Sequence, residues 1–222
     1  MDAGGTIRKM EITPTAATLS RELTWFADVV DHVITWYFNS NEKPFSLPEP
    51  PDLTDDPSDL AQTLRDAGLE TADRLFFVLA LAPHLRPQAL DAFSLRNPNT
   101  DKPFTEFGGT TTAGTTFIPS VQTALFLYCC DDLSRRLEVI QRLQPGAPLI
   151  DGKFIKQPLS DESGMHGQPL IVDPNILALI TTGARFRPEF RSDFPAQRLT
   201  TKLTWDHLIL PKAVRSALAD LR

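Results

Sequence analysis

The sequence predicts a mainly α-helical protein with small β elements, an α+β fold, and three observations lead to this prediction. Apolar residues recur at helical spacing along most of the first 145 residues. Proline and glycine separate these stretches, so the helices after the first one are short. Two short apolar segments with β character, 153–159 and 168–173, follow the helical part. With 41% hydrophobic residues, the 222-residue chain can build a substantial core.

The first helix is predicted over residues 16–38, where two apolar stripes run along different faces. One stripe advances in steps of three and four residues and consists of Leu19, Leu23, Phe26, Val30, Val33 and Tyr37. The other consists of Trp25, Val29, His32 and Trp36. Two apolar faces predict a helix that is central in the fold or shared with a partner. Trp25 and Trp36 are therefore candidate interface residues, and His32 is expected to be a hydrogen-bonded interface histidine.

Three more segments are assigned before the glycine-rich stretch. Residues 41–59 contain five prolines, which predict an extended connector running over the surface. Ser58 or Asp59 then caps a short helix, since both side chains can accept a hydrogen bond from the first turn. The segment TADRLFFVLALAPHL is apolar nearly all round and predicts a buried helix that ends at Pro83, and Pro87 opens the next helix.

Residues 119–173 predict two helices followed by a β-hairpin. PSVQTALFLYC forms the first helix, and two aspartates end it. DLSRRLEVIQRL forms the second, with an apolar face of Leu133, Leu137, Ile140 and Leu143. The two β segments then pair across the polar loop SDESGMHG, and Asp173 caps a final helix. Two helices across a short turn, followed by a β-hairpin wing, form a winged-helix-like domain.

The winged-helix interpretation supplies candidate nucleic-acid contacts. A recognition helix over 132–143, together with the wing, would present five cations to phosphates, namely Arg135, Arg136, Arg142, Lys153 and Lys156. Acidic residues oppose this use, since the same helix region holds Asp131, Asp132 and Glu138 and the wing loop holds Asp161 and Glu162. The net charge of −6 points the same way. Protein recognition is therefore favoured, with DNA binding as the alternative.

The stretch GGTTTAGTT, residues 108–116, comes close to a phosphate-binding loop. Gly109 and Gly114 have the required spacing, but Thr115 stands where the pattern needs a lysine. A hydrophobic strand before the glycines and a helix directly after them are also missing. The stretch instead predicts a Gly/Thr turn between two short strands.

No other stretch carries a catalytic pattern. Residues 161–166 gather an acid, a hydroxyl and an imidazole, but a glycine-rich loop seldom holds such groups in a working geometry, so a solvated loop is predicted. Cys129 and Cys130 are adjacent, and neighbouring cysteines close a strained ring, which favours buried reduced thiols. We therefore predict no catalytic residue, no cofactor site and no metal site.

Hydropathy and charge predict the environment of the chain. No apolar run reaches the ~18 residues of a membrane span, and the N-terminus lacks the apolar stretch of a signal peptide. A cytoplasmic location without a membrane partner is expected. The charge is uneven, because residues 1–173 carry −10 whereas residues 174–222 carry +4.

Four segments resemble a known family: LALAPHLRPQALDAF, NPNTDKPFTEFGG, FIPSVQTALFLYCCDDLSRRLEVI and SDFPAQRLTTKLTWDHLILP. They are similar to the region that precedes the motor in bacterial AAA+ ATPases found with extracellular contractile injection systems. The resemblance covers most of residues 70–211. It implies a winged-helix-like N-terminal region and an ATPase core after it, with RLTTKLTWDHLILP at the join.

This resemblance implies a domain organisation and a function. Residues 1–57 would be an N-terminal helix with a proline-rich connector, 58–195 the winged-helix-like domain, and 196–222 a connector toward an absent ATPase core. Because no Walker sequence appears before Arg222, ATP and magnesium are expected only in that core. The chain is then expected to be a non-catalytic recognition or regulatory domain. Its expected partners are injection-particle components or its own ATPase core, and oligomer formation is compatible with this role. Trp205, on an amphipathic C-terminal segment, is a third candidate interface residue.

Overall fold

The computed structural model describes residues 12–39, 45–111, 116–158 and 164–183. The described part is mainly helical with two small antiparallel sheets, which confirms the predicted α+β class. The α-helices are α1 (Ile12–Phe38), α2 (Asp59–Asp66), α3 (Thr71–Leu85), α4 (Val121–Cys129), α5 (Leu133–Val139), α6 (Pro148–Asp151) and α7 (Pro174–Thr182). Three 3₁₀ helices cover Pro87–Ser94, Thr105–Phe107 and Ile140–Leu143. The strands are β1 (Arg96–Asn97), β2 (Lys102–Pro103), β3 (Thr110–Thr111) and β4 (Phe117–Ile118).

The two sheets are two-residue hairpins. Strand β1 pairs with β2, and β3 pairs with β4. The strand predicted after the glycine- and threonine-rich segment is confirmed as β4, but its partner β3 lies inside the segment, and a 3₁₀ helix stands before Gly108 where the first strand was predicted. Gly114 and Thr115 lie outside the described residues. Gly109 has a φ of 72°, and a Cβ at this position would run into the ring of Phe117. A glycine is therefore needed at position 109, because the backbone there passes close to the Phe117 ring on the neighbouring strand.

Helix α1 lies at the centre of the described core and confirms the first predicted helix. It packs against α2, α3, α4, α7 and the 3₁₀ helix Pro87–Ser94. Its first stripe is buried from Leu19 to Val33. The second stripe is divided, because Trp25 and Val29 are buried whereas His32 is exposed. The prediction of a hydrogen-bonded interface position for His32 is therefore not met in the described residues, where its ring lies 6.3 Å from that of Phe45.

The proline-rich connector explains why only half of the second stripe is covered. Residues 45–57 form neither helix nor strand, as predicted, and they contact α1 and α3 through backbone carbonyls. Trp25 Nε1 donates to the carbonyl of Pro48 at 2.9 Å, and Arg74 Nη2 donates to that of Pro51 at 2.7 Å. Because the connector is in neither helix nor strand, these carbonyl oxygens have no backbone partner within the segment and can accept from buried donors.

Helix α3 is the buried core helix expected from its sequence, but its predicted end is wrong. The helix continues through Pro83 to Leu85. A proline in the last turn removes one backbone hydrogen bond, and the N–H of Arg86 still reaches the carbonyl of Ala82 at 2.9 Å. The loss of this one hydrogen bond is small, and burial of the apolar residues before Pro83 keeps the last turn helical.

The second helix of the predicted pair exposes two leucines that were expected to be buried. Leu133 and Leu137 are 67% and 63% exposed, whereas Val139 and Leu143 are buried. The chain tightens into a 3₁₀ helix from Ile140 onward, which changes the angle between successive residues. The buried face therefore runs through positions 139 and 143, and the predicted stripe is wrong at its first two members.

Within the described residues, which leave out 159–163, one antiparallel bridge joins the two arms of the predicted hairpin. Ile155 pairs with Val172, flanked by bonds from Lys156 N to Ile171 O (2.8 Å) and from Asp173 N to Phe154 O (3.0 Å). The next hydrogen-bonded pair would be Pro158 with Pro169, and neither residue has an N–H to donate. Leu170 faces the other side, where its N–H donates to the carbonyl of Pro119 at 2.8 Å, just before α4.

Ser58, one of the two predicted caps, begins α2 and offers a direct test of the fold. Its buried hydroxyl accepts from Ala61 N at 3.0 Å and lies 2.7 Å from Thr18 Oγ1 on α1. Replacing Ser58 with alanine is expected to lower the free energy of unfolding by about 1–2 kcal/mol, because it removes both a cap and a link to α1. Urea denaturation measures the change. Ser134→Ala, on the exposed side of α5, is the control, and an equal loss in that variant would contradict the capping role.

Candidate interaction surface at the α4–α5 corner

Helices α4 and α5 meet at a tight corner that is held by local hydrogen bonds. Cys130 ends α4 with a φ of 49°, and the N–H of Asp132 donates to the carbonyl of Cys129 at 2.9 Å. The Asp132 carboxylate then caps α5 by accepting from Arg135 N at 3.0 Å. At the other end of α4, Ser120 forms a capping box with Thr123. Both ends of the short α4 are thus fixed, and the corner has a defined direction.

The outward side of α5 is apolar and acidic. Leu133 and Leu137 lie one turn apart, and Ser134 and Glu138 beside them are also exposed. Single exposed leucines are ordinary on protein surfaces, but two on adjacent turns of a seven-residue helix form a paired apolar feature. This face lacks the basic character that a DNA recognition helix requires.

The three arginines proposed as a basic face are directed to three different partners. Arg135 lies over the ring of Tyr128, 5.2 Å from its centroid, in a cation–π contact. Arg136 Nη2 is 3.8 Å from Glu106 Oε2. Arg142 donates to Asp73 at 2.8 Å and to Glu70. The structure therefore does not bring these cations together on one face.

The remaining predicted contacts are spread over the described surface. Lys153 and Lys156 are exposed on the segment that leads into the Ile155 bridge. Trp25 is only 4% exposed and is covered by the chain's own connector. Trp36 is half-buried and meets the ring of Phe45 edge-on at 5.2 Å. Trp205 lies outside the described residues, as do the acidic loop residues 161 and 162.

Two buried ionic contacts were missed by sequence reasoning. Glu22 on α1 pairs with Arg74 on α3, and both side chains are almost fully buried. Burial raises the pKa of Glu22 above its ordinary value of 4.5, and the hydrogen bond and charge of Arg74 oppose the rise. The sequence signal was present, since Glu22 interrupts the apolar stripe directly before Leu23.

The second buried contact joins Asp73 to Arg142, and burial again opposes hydrogen bonding and charge in setting the pKa of the carboxylate. Burial raises its pKa above 3.8, while the backbone N–H of Glu70 and the guanidinium of Arg142 lower it. The Glu70–Asp73 spacing also forms the capping box of α3. Arg142 is thus a fold-stabilising residue that joins the end of the α5 region to the start of α3.

The chemistry of the cysteines agrees with reduced, unreactive thiols. Burial raises the pKa of Cys129 to about 11 and that of Cys130 to about 12. A thiol with such a pKa is protonated at neutral pH and is a poor nucleophile. Among the described residues, no group of three or more histidine, cysteine, aspartate or glutamate side chains is placed to hold a metal ion.

The chain was compared with protein-family models, curated proteins and solved structures. No protein-family model, no curated protein and no solved structure matches the chain. Within the described ranges, every helix is too short or too polar to cross a membrane. The α4–α5 corner, with its exposed pair Leu133 and Leu137, is therefore the candidate interaction surface.

Proposed function

We propose that this chain is a non-catalytic protein-recognition domain and that the outward face of α5 is part of its contact surface. The observation that carries the proposal is the exposure of Leu133 and Leu137 on adjacent turns. Full burial of a leucine side chain contributes about 1.5–3 kcal/mol, so a partner that covers both gains a substantial apolar contact. Two neighbouring anchors on one helix are the kind of feature that dominates a protein interface.

The winged-helix-like arrangement belongs to the same proposal. Its support is the order of α4, the tight corner, α5 and the antiparallel bridge between Ile155 and Val172. The resemblance to the region ahead of the motor in AAA+ ATPases of contractile injection systems supplies the partner class. The partner would be a component of the injection particle or the ATPase core itself.

The use of the arginines supports protein recognition over the DNA-binding alternative. Arg142 binds two carboxylates inside the fold, and Arg135 is stacked on a tyrosine. To bind DNA phosphates, these arginines would first have to give up their contacts within the fold. The affinity gained from phosphate contacts also decreases as the salt concentration rises. The exposed leucines have no role in that alternative.

Direct binding of the full chain to purified candidate partners tests the proposal. The candidates are a purified AAA+ ATPase core and purified particle proteins of a contractile injection system, and biolayer interferometry measures their affinity. The double variant Leu133→Asp and Leu137→Asp is expected to weaken binding at least about tenfold, because charge replaces both anchors. Leu95→Asp is the matched control, since Leu95 is 46% exposed and lies outside α5, between the 3₁₀ helix Pro87–Ser94 and β1.

Two outcomes would contradict the proposal. One is the absence of saturable binding to any of these proteins, or binding that the double variant leaves unchanged. The other is nanomolar, sequence-dependent affinity for duplex DNA at physiological salt, which would establish the alternative.

A further inference from the structure

A cavity of about 380 Å³ lies between the C-terminal end of α1 and the α4–α5 corner. Its lining combines aromatic and charged side chains, namely Trp36, Tyr37, Phe126, Glu106, Asp131 and Arg136. The size and the mixture of an apolar wall with a few charged groups match those of small-molecule sites. The cavity is separate from the outward leucine pair, so the inference drawn from it is independent of the proposed function.

Arg136 lines this cavity, and one edge of its guanidinium is unsatisfied. Its Nε and Nη2 atoms are buried and make no hydrogen bond with the described residues. These two nitrogens form one side of the planar guanidinium, where two parallel N–H groups match the two oxygens of a carboxylate. A buried donor without an acceptor is costly, so this edge favours a ligand that completes it.

Glu106 stands in front of this edge but does not satisfy it. Its Oε2 atom is 3.8 Å from Arg136 Nη2, beyond hydrogen-bond distance. The Glu106 side chain is 48% exposed, and a long contact of 3.4 Å from Gln122 Nε2 holds its carboxylate. An exposed and weakly held glutamate can turn away from Arg136 without loss of a buried contact.

The charge balance of the cavity selects the ligand class. One guanidinium and two carboxylates, those of Glu106 and Asp131, line the space. A simple anion would meet Arg136 but would be repelled by both carboxylates, whereas a simple cation would leave the Arg136 edge without an acceptor. A molecule that carries both an ammonium and a carboxylate satisfies all three groups.

We propose that this cavity binds a free α-amino acid with an aromatic or large aliphatic side chain. Glu106 turns aside to open the buried Nε–Nη2 edge of Arg136, the ligand carboxylate occupies that edge, and the ammonium lies between Glu106 and Asp131. The side chain packs against Trp36 and Tyr37, where aromatic surface favours an apolar body. Glu106 exchanges its long contact with Arg136 for the ligand ammonium.

Titration of the full chain with L-phenylalanine tests the proposal. Calorimetry measures the affinity, and the Nε–Hε resonance of Arg136 reports whether the ligand reaches that edge. Two analogues serve as matched probes, 3-phenylpropanoate without the ammonium and phenethylamine without the carboxylate. L-Phenylalanine is expected to bind at least about tenfold more tightly than either analogue, because each one leaves a charged group of the cavity without its partner.

Variants locate the site. Arg136→Lys keeps the charge but removes the planar edge, and it is expected to weaken L-phenylalanine binding at least about tenfold. Arg135→Lys, one residue away and stacked on Tyr128, is the control and should leave the affinity unchanged. The double substitution of Leu133 and Leu137 should also leave it unchanged, which separates this result from the test of protein recognition.

Three results would overturn the proposal, and the analogue comparison keeps it testable even if Arg136→Lys fails to fold. The first is no saturable binding of L-phenylalanine. The second is equal or tighter binding of phenethylamine, which would make the cavity an aromatic site for cations. The third is equal or tighter binding of 3-phenylpropanoate, which would leave the two carboxylates without a function in recognition.

Discussion

Replacement of Arg74 with methionine is expected to lower the free energy of unfolding by about 3–5 kcal/mol, because it leaves a buried carboxylate without its cation. Glu22 is 1% exposed and lies between α1 and α3, where water cannot replace the guanidinium. The substitution also removes the bond from Arg74 to the carbonyl of Pro51, which attaches the connector to the core. Chemical denaturation at neutral pH measures the loss.

A half-exposed ion pair provides the control for this experiment. The Arg21 side chain is 49% exposed, and its partner Asp56 is buried but also accepts hydrogen bonds from Thr18 and from Ser58 N. Arg21→Met is therefore expected to cost no more than about 1 kcal/mol, because solvent screens Arg21 and the Asp56 carboxylate keeps its other donors. A similar loss in both variants would mean that burial of the Glu22–Arg74 pair does not decide its contribution.

The pH dependence of the Arg74 variant has a definite sign. Burial raises the pKa of Glu22 above 4.5 in the folded protein, so its contribution to stability is present below that pH and is lost as the pH rises through the raised pKa. Without Arg74 the pKa rises further, and the loss becomes larger. The destabilisation relative to the wild type should therefore be smaller below pH 4.5 than at neutral pH. A pH-independent difference would contradict this origin.

Replacement of Phe107 with alanine is expected to lower the free energy of unfolding by about 3–5 kcal/mol through loss of apolar contact and formation of a cavity. Phe107 is 1% exposed, and its ring is surrounded by five others. The ring centroids of Phe126, Phe104, Tyr37, Phe93 and Phe38 lie between 5.0 and 6.4 Å from its own. This residue joins α1, α4 and the two 3₁₀ helices that precede α4.

Phe38→Ala is the matched control for this aromatic cluster. Phe38 contacts Phe107 and Phe104 but is 46% exposed, so its removal leaves a surface depression that water fills. Phe38→Ala should therefore lower the free energy of unfolding clearly less than Phe107→Ala does in the same denaturation experiment. Equal costs would place the centre of the cluster elsewhere.

The sequence was sufficient for the helices whose ends carry their own signals. The cap at Ser58 and the pair Asp173–Pro174 each mark a helix start by local hydrogen bonding or by a fixed φ. Such interactions involve residues close in sequence, so they can be read without knowledge of the tertiary fold.

The candidate sites were much less predictable. The predicted basic face depends on partners that come from distant segments, such as Glu70 for Arg142 and Glu106 for Arg136. The cavity joins α1 to the corner after α4, and no local sequence pattern relates these two segments.

By itself the sequence determined the α+β class, the long first helix, the extended connector and the absence of a lysine-bearing phosphate loop, because composition and near-neighbour spacing are enough for each. Only the tertiary structure decided which charges are paired, which face of α5 meets solvent and where Trp36, Tyr37 and Arg136 come together. A side chain's burial and partners depend on residues brought close by packing, and the energy of a charge or an apolar group is set by that environment rather than by its place in the chain.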